Sequence, residues 1–277
     1  MVWFLIFILT FLVRADGLQN LFEMADRSGD DFGAGKITYP THQAFAPYRD
    51  LFDLTHFKVT KEGEYLFFDL SFSQITNPWK APEGFFHQHV LIFINTGSEG
   101  INYYAPLLMS FKKPYRYVIR VAPWSLSSLR FSDNETIIPI RAETLNQRTI
   151  RVYLPLNIIN ASYNDWEYAV LVGAYDPFGL DLFREVAPKN SAWEFGGEQK
   201  WPFIDILAPS FGNRRQEQQL QSGIFIFQSS QSQSKPSWWW LLLIPMGFFS
   251  VFFLKRSGFK FDLGLKKPRS EHNKKGT

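Results

Sequence analysis

The segment Leu66-Phe67-Phe68-Asp69-Leu70-Ser71-Phe72 places an apolar residue at every second position and a polar one at two of the positions between. A period of two is typical of a β-strand that buries one face. The segment Ile150-Arg151-Val152-Tyr153-Leu154 repeats the pattern. Further runs rich in β-branched and aromatic residues, which favour strands, lie at 90–94, 117–121, 136–140, 168–172 and 224–227.

Segments rich in Gly, Pro, Asn and Asp separate these runs and predict turns at 61–64, 95–100, 132–135 and 176–179. No helical periodicity of ten or more residues lies between them. Alternating strands without crossover helices are typical of antiparallel sheets rather than of an α/β fold. We therefore expect an all-β fold, an antiparallel β-sandwich, over residues 16–227.

Two uncharged apolar runs lie near the two ends of the 277-residue chain. The first leads into Val13-Arg14-Ala15, so residues 1–15 are predicted to be a signal peptide. An uncleaved anchor is the alternative, since no Lys or Arg precedes the run. The second run begins at Trp238-Trp239-Trp240 and is long enough to cross a bilayer as a helix, which predicts a transmembrane helix at 238–254.

The charges beside the second run predict an orientation. Residues 255–277 hold eight Lys or Arg and two Asp or Glu, and such a basic tail is expected in the cytoplasm. Residues 228–237, rich in Ser and Gln, are predicted to form a flexible stalk. The sequence thus predicts a single-pass protein of the cell membrane with an extracytoplasmic β domain. That domain is mildly acidic, so we expect no nucleic-acid partner.

Several kinds of chemistry have no support in the sequence. The chain contains no Cys, which excludes disulfides, thiolate metal sites and cysteine nucleophiles. It has no nucleophile elbow, phosphate-binding loop or dinucleotide fingerprint, and no spacing singles out a pair of carboxylates for glycoside hydrolysis. We therefore expect no enzymatic activity. His87 and His89 could form a metal-binding pair on one strand face, but a surface or partly buried pair is the favoured interpretation.

An acidic, glycine-rich loop is the clearest candidate for a metal site. Asp26, Asp30 and Asp31 lie within six residues, and the glycines among them allow unusual backbone angles. Carboxylate oxygens turned inward in this way suit Ca²⁺, and Asp53 is a candidate fourth ligand. The spacing is not that of an EF-hand, and a solvated Gly/Asp turn is the alternative.

Several separate blocks, in order, make the chain resemble the C-terminal module of glucodextranase, which also occurs in amylopullulanases. The likeness covers roughly residues 25–227. The blocks are Gly29-Asp30-Asp31-Phe32-Gly33-Ala34-Gly35, Tyr39-Pro40-Thr41, Phe52-Asp53-Leu54-Thr55, Thr76-Asn77-Pro78-Trp79, Pro82-Glu83-Gly84-Phe85, 166–173, Trp193-Glu194-Phe195-Gly196-Gly197 and 202–209.

The resemblance implies a β-sandwich akin to calcium-containing carbohydrate-binding domains. The implied role is binding or surface attachment without hydrolysis. The chain departs from the family at Asn95-Thr96-Gly97, where an Asp-containing turn is usual, so a second cation site is not expected there. It also lacks the large catalytic domain that family members usually follow. A module that docks a protein partner, such as a sugar-transporter component or a separately encoded glycoside hydrolase, is therefore the alternative function.

Exposed aromatic side chains are the expected contact surface for a polysaccharide or cell-surface glycan, because sugar rings stack on indole and phenol faces. The alternative is that those within the family blocks close the sandwich. The candidates are Trp79, Trp124, Trp193, Trp201 and Tyr39.

Overall fold

The computed structural model describes residues 17–132, 136–210 and 215–230. The predicted signal peptide (1–15), transmembrane helix (238–254) and basic tail (255–277) lie outside these residues, as does most of the predicted stalk. Among the described residues, no helix combines the length and the hydropathy needed to cross a bilayer.

The strands of the described residues are short and follow one another closely along the chain. In order they are β1 (Gln19–Ala25), β2 (Leu54–Glu62), β3 (Tyr65–Phe72), β4 (Gln88–Asn95), β5 (Ile101–Tyr104), β6 (Met109–Tyr115), β7 (Tyr117–Val121), β8 (Ser128–Phe131), β9 (Ile137–Pro139), β10 (Arg141–Thr144), β11 (Thr149–Pro155), β12 (Glu167–Ala174), β13 (Val186–Ala187), β14 (Phe195–Gly196), β15 (Phe203–Ile206) and β16 (Ile224–Phe225). The α-helix α1 (Gln216–Ser222) precedes β16.

Two antiparallel sheets form the sandwich. The first has the order β1-β2-β3-β11-β10 and the second the order β15-β12-β4-β7-β8-β9. Strand β3 shows the predicted alternation, with Leu66, Phe68, Leu70 and Phe72 buried and the three residues between them partly exposed. Rings from the two sheets meet in the core, where Phe57 of β2 lies 5.5 Å from Tyr168 of β12. The predicted all-β fold with antiparallel sheets is confirmed.

A second core explains why β4 and β12 read as continuous apolar runs. Every residue of β4 is buried, because one face of the second sheet packs on the first sheet and the other face is covered as well. The cover is a small sheet, β5-β6-β16, together with α1 and the loop around Phe183. Phe93, for example, packs against Phe111 at 4.4 Å between ring centroids.

The sandwich has two distinct ends, separated by the length of β4, roughly 24 Å at the usual rise per residue. At the terminal end, Gln19 pairs with Lys61 and Gln228 bridges to Tyr168, so the described chain enters and leaves there. At the loop end lie the segments that precede β2 and β4, that follow β12, and that connect β7 to β8. The Gln88 side-chain amide joins the two sheets at this end by donating to the Leu51 carbonyl (2.7 Å).

Candidate functional site

An exposed aromatic cluster lies at the loop end. Trp79 and Trp193 are 40% and 41% exposed and have ring centroids 6.1 Å apart. The His42 ring stacks on Trp193 at 3.9 Å, with 25° between the planes. Phe86 packs against Trp79 at 4.3 Å. Three loops that are distant in sequence thus contribute to one partly apolar surface, which we call the aromatic cluster (His42, Trp79, Phe86, Trp193).

The loop that carries Trp79 is closed by one side chain. The Asn77 amide donates to the Ala81 carbonyl, and its oxygen accepts from the Ala81 N–H, both at 2.8 Å. Phe85, a few residues later, is fully buried and fixes the loop to the core. The indole of Trp79 is therefore presented by a rigid turn.

Arg184 holds the segment that carries Trp193. Its Nη1 donates to the Trp193 carbonyl (2.8 Å), and the same nitrogen lies 3.0 Å from the carboxylate of Asp176. Its guanidinium also lies over the ring of Phe45, 5.5 Å from the centroid. Arg184 is buried, and the contacts of its Nη1 restrict the position of Trp193.

Trp124, on the loop between β7 and β8, is 42% exposed. The Glu83 carboxylate accepts hydrogen bonds from the N–H groups of Trp124 (3.0 Å) and Ser125 (2.6 Å). Glu83 belongs to the same loop as Trp79. Trp79, Trp124 and Trp193 are therefore brought to one end of the sandwich, all three with exposed indole surface.

The structure gives Trp201 and Tyr39 other roles. Trp201 is 6% exposed and packs in the second core against Phe225, so the prediction that it offers an exposed sugar platform is corrected. Tyr39 packs edge-on against Phe52 and Phe195, and its hydroxyl donates to the Asp31 carboxylate. Both aromatic side chains are used in packing because their loops cross apolar surface, which the sequence pattern does not reveal.

A buried group of carboxylates lies at the same end. Oxygens of Asp30, Asp53 and Asp205 all lie within 4.8 Å of one another, and the three residues are buried. Asp26 adjoins them, since the carboxylates of Asp30 and Asp53 contribute to the rise of its pKa. We call these four residues the acidic cluster. The ion pairs of the described residues include none of the four.

Backbone amides and one hydroxyl position part of the acidic cluster. Asp53 accepts from the Gly29 N–H (2.8 Å) and from the Ser73 hydroxyl. Asp205 accepts from the Leu54 N–H at 2.6 Å. Gly29 has φ 78°, a backbone angle that favours glycine, and this angle brings its N–H to Asp53.

Other oxygens of the acidic cluster have no partner. Asp30 Oδ1 and Asp26 Oδ2 are buried and accept no hydrogen bond. Burial, followed by the charge of Asp53, raises the pKa of Asp30 to about 7. Burial and neighbouring carboxylates raise the pKa of Asp26 and Asp205 well above the ordinary value. Buried carboxylate oxygens that converge, two of them without a hydrogen-bond donor, are costly unless a cation binds them. Ca²⁺ fits such a site, because it is bound by carboxylate oxygens.

Asp31, which was predicted with the other ligands, is not among the three carboxylates whose oxygens converge, although burial, with a contribution from the charge of Asp53, raises its pKa to about 6. Its carboxylate accepts from the Tyr39 hydroxyl and lies 3.4 Å from the Phe52 N–H. The sequence prediction missed Asp205, which lies 152 residues beyond Asp53 on β15. A charged residue inside the apolar run Phe203-Ile204-Asp205-Ile206 was the signal for it, because an unpaired buried carboxylate is costly.

His87 and His89 are buried in different surroundings. The His87 ring lies among Phe45, Phe52 and Phe86, and burial lowers its pKa to about 3. The His89 ring stacks on Phe183 at 3.9 Å, in the second core. The two imidazoles are thus separate packing elements, and they do not form a metal-binding pair.

The comparison with known families agrees with this architecture. The family described as the C-terminal binding module, SLH-like, of glucodextranase matches residues 21–235, about three quarters of the chain. The chain belongs to this family. No curated protein matches it. Membership in a family of glucodextranase binding modules associates the β-rich domain with carbohydrate binding or attachment.

The family blocks seen in the sequence have identifiable structural roles. Asn77 closes the Trp79 loop, and Glu83 joins that loop to the Trp124 loop. Phe195 is fully buried beside Trp193, and Gly196 bridges to Thr38. These residues of the blocks therefore contribute to the loop end of this glucodextranase-type module.

Proposed function

We propose that this chain is a membrane-anchored, extracytoplasmic module that binds polysaccharide or cell-surface glycan and has no catalytic activity of its own. The observation that carries the proposal is the exposed aromatic cluster, in which Trp79 and Trp193 lie side by side on rigid loops. Indoles held in place in this way offer sugar rings an apolar face without an ordering cost upon binding. The family relationship to a glucodextranase binding module supports the same ligand class.

We further propose that Ca²⁺ binds at the acidic cluster and has a structural role. Asp30, Asp53 and Asp205 would supply the ligands, with Asp26 beside them. The support is the convergence of their oxygens within 4.8 Å and the absence of partners for Asp30 Oδ1 and Asp26 Oδ2. The cation would neutralise buried charge and join the N-terminal segment to β15. It would thereby brace the end of the sandwich that carries the aromatic cluster.

The position of the chain ends supports attachment through the C-terminus. Gln228 bridges to Tyr168 at the terminal end, whereas Trp79 and Trp193 lie at the loop end. The last described residues thus lie at the end of the sandwich opposite the aromatic cluster. In this proposal residues 238–254 are the membrane span, residues 255–277 lie in the cytoplasm, and the β domain lies outside the cell.

The test is a binding screen of the purified full-length protein, in detergent, against soluble glycans and insoluble polysaccharides. We expect saturable binding to a defined polymer, with a loss of about tenfold or more for Trp79→Ala and for Trp193→Ala, about 1.4 kcal/mol each. Leu145→Ala, at an exposed apolar position on the turn between β10 and β11, is the matched control and should bind normally. A folded protein that binds no glycan would overturn the proposal.

A second candidate function is docking of a protein partner. It is favoured by Phe178, which is 96% exposed at the tip of the turn after β12, and by the exposed residues Leu108 and Leu180. Leu108 and Leu180 line the same surface pocket, and contiguous exposed apolar surface is typical of protein contacts. Retention of one membrane protein in a pull-down, lost in Phe178→Ser and unaffected by Trp79→Ala, would favour this function over glycan binding.

A further inference from the structure

The loop that connects β7 to β8 presents Trp124 on a strained backbone. Trp124 and Ser125 have φ values of 60° and 58°, so two consecutive residues that are not glycine adopt the left-handed conformation. Such a conformation is strained and persists only where its surroundings impose it. The strain holds a large indole at the surface, where it contributes little to the core.

Glu83 imposes this conformation. One carboxylate oxygen accepts from the Trp124 N–H (3.0 Å), and the other accepts from the Ser125 N–H (2.6 Å) and the Ser125 hydroxyl (3.2 Å). The loop is also closed from within, because the Ser127 hydroxyl accepts from the Ala122 N–H (3.1 Å) and donates to the Ala122 carbonyl (3.0 Å). Hydrogen bonds to a carboxylate are stronger than those between neutral groups, so Glu83 is the main restraint.

The backbone of Glu83 is fixed in turn. Its carbonyl accepts from the Thr144 N–H at 2.8 Å, on the last residue of β10. Gly84, with φ 87°, lies so close to Thr144 that a Cβ would overlap the threonine hydroxyl. The loops of Trp79 and Trp124 therefore form one rigid unit joined by the Glu83 side chain.

Trp124 makes no ring contact with the aromatic cluster. The ring contacts of the described residues pair Trp79 with Trp193, His42 and Phe86, and none of them includes Trp124. The surface thus offers two contact positions at a fixed separation rather than one continuous patch.

We propose that Trp124 and the aromatic cluster are two positions of one binding surface for an extended, linear glycan chain, and that Glu83 is the positioning residue that fixes their separation. This inference rests on the proposed glycan binding and deepens it, because it names the ligand class. A glycan chain that spans both positions binds more tightly, because its second contact forms within the complex that the first contact has already made, and the loops need not reorganise. A mono- or disaccharide fills only one position.

The experiment measures affinity against chain length by calorimetry on the full-length protein. The probes are linear fragments of dextran and of amylose, from disaccharide to polymer. For the wild type we expect the affinity to rise as the chain becomes long enough to reach both positions. Trp124→Ala should remove that rise, about tenfold for the polymer, and leave the affinity for short fragments unchanged. Trp124→Phe should keep most of it.

Glu83→Gln tests the positioning role without removing a ring. An amide can replace only one of the two carboxylate oxygens, so we expect the loop to loosen and most of the chain-length gain to be lost. Adding Ser125→Gly to this variant relaxes the left-handed backbone and should restore part of the gain. Glu143→Gln, on the neighbouring strand β10, is the matched control, because its carboxylate bonds to Tyr153 and Arg141 instead.

The outcomes separate this inference from the proposed function. If Trp79→Ala abolishes binding while Trp124→Ala and Glu83→Gln keep the wild-type dependence on chain length, the two-position surface is refuted and glycan binding stands. If the wild type binds no fragment and no polymer, both proposals are overturned.

Discussion

Replacing Asp30 by Asn should stabilise the calcium-free protein and make its stability nearly independent of Ca²⁺. Asp30, Asp53 and Asp205 have oxygens within 4.8 Å of one another. At that separation and an effective dielectric constant of about 20, each ionised pair repels by about 3.5 kcal/mol. Asp30→Asn removes two of these three repulsions. Asp30 Oδ1 accepts no hydrogen bond in the structure, so the substitution breaks none at that oxygen.

The wild type should depend on the cation. Free Ca²⁺ at 100 times its Kd adds about 2.7 kcal/mol to the free energy of unfolding. For a domain of this size, 1 kcal/mol corresponds to roughly 2–4 °C in Tm, so chelation at pH 8 should lower the Tm by roughly 5–11 °C. Asp30→Asn should melt above the calcium-free wild type and show little response to Ca²⁺, because one ligand and its charge are gone.

The assay is thermal unfolding, followed by circular dichroism, of both proteins with Ca²⁺ and with chelator at pH 8. Asp31→Asn is the matched control, because its carboxylate accepts from the Tyr39 hydroxyl and is not one of the three whose oxygens converge. That variant should lose stability equally in both conditions and keep the full calcium increment. A wild-type Tm that is unchanged by chelator and by added Ca²⁺ would refute the reasoning. So would an Asp30→Asn variant with the wild-type calcium increment.

Three further predictions concern stability. Arg184→Met removes the hydrogen bond to the Trp193 carbonyl and the ion pair with Asp176, so it should cost about 2–3 kcal/mol, read as a lower Tm in scanning fluorimetry. An unchanged Tm would contradict the role of Arg184. Gly63→Ala, whose Cβ meets open space, should cost about 1–2 kcal/mol in urea unfolding from backbone strain alone, and Gly84→Ala should cost more, because its Cβ also overlaps the Thr144 hydroxyl. If the two cost the same, the close approach to Thr144 is unimportant. The third concerns pH: because burial raises the pKa of Asp30 from 3.8 to about 7, the calcium-free folded state holds a proton that the unfolded state has already lost. The stability of the calcium-free protein should therefore fall as the pH rises from about 4 to about 7. A Tm that stays constant in chelator over that range would count against the buried cluster.

Local patterns in the sequence predict several strands of the two sheets. The alternation of Leu66 to Phe72 predicts β3, and Ile150 to Leu154 predicts most of β11, because a strand that buries one face must alternate. The second core is not predictable in this way. A continuous apolar run such as Val90 to Ile94 shows that a strand is buried on both faces but not what covers the second face.

The same limit applies to the site. The sequence by itself determined that Asp26, Asp30 and Asp53 are candidates for a cation site and that Trp79, Trp124 and Trp193 are candidates for a glycan surface. Only the tertiary structure showed that Asp205 lies beside Asp53, that the Asp31 carboxylate accepts from the Tyr39 hydroxyl, and that Trp201 is buried in the second core. The physical reason is that composition and spacing act over a few residues. A buried carboxylate or an exposed indole, in contrast, is defined by neighbours that the pairing of distant strands brings together.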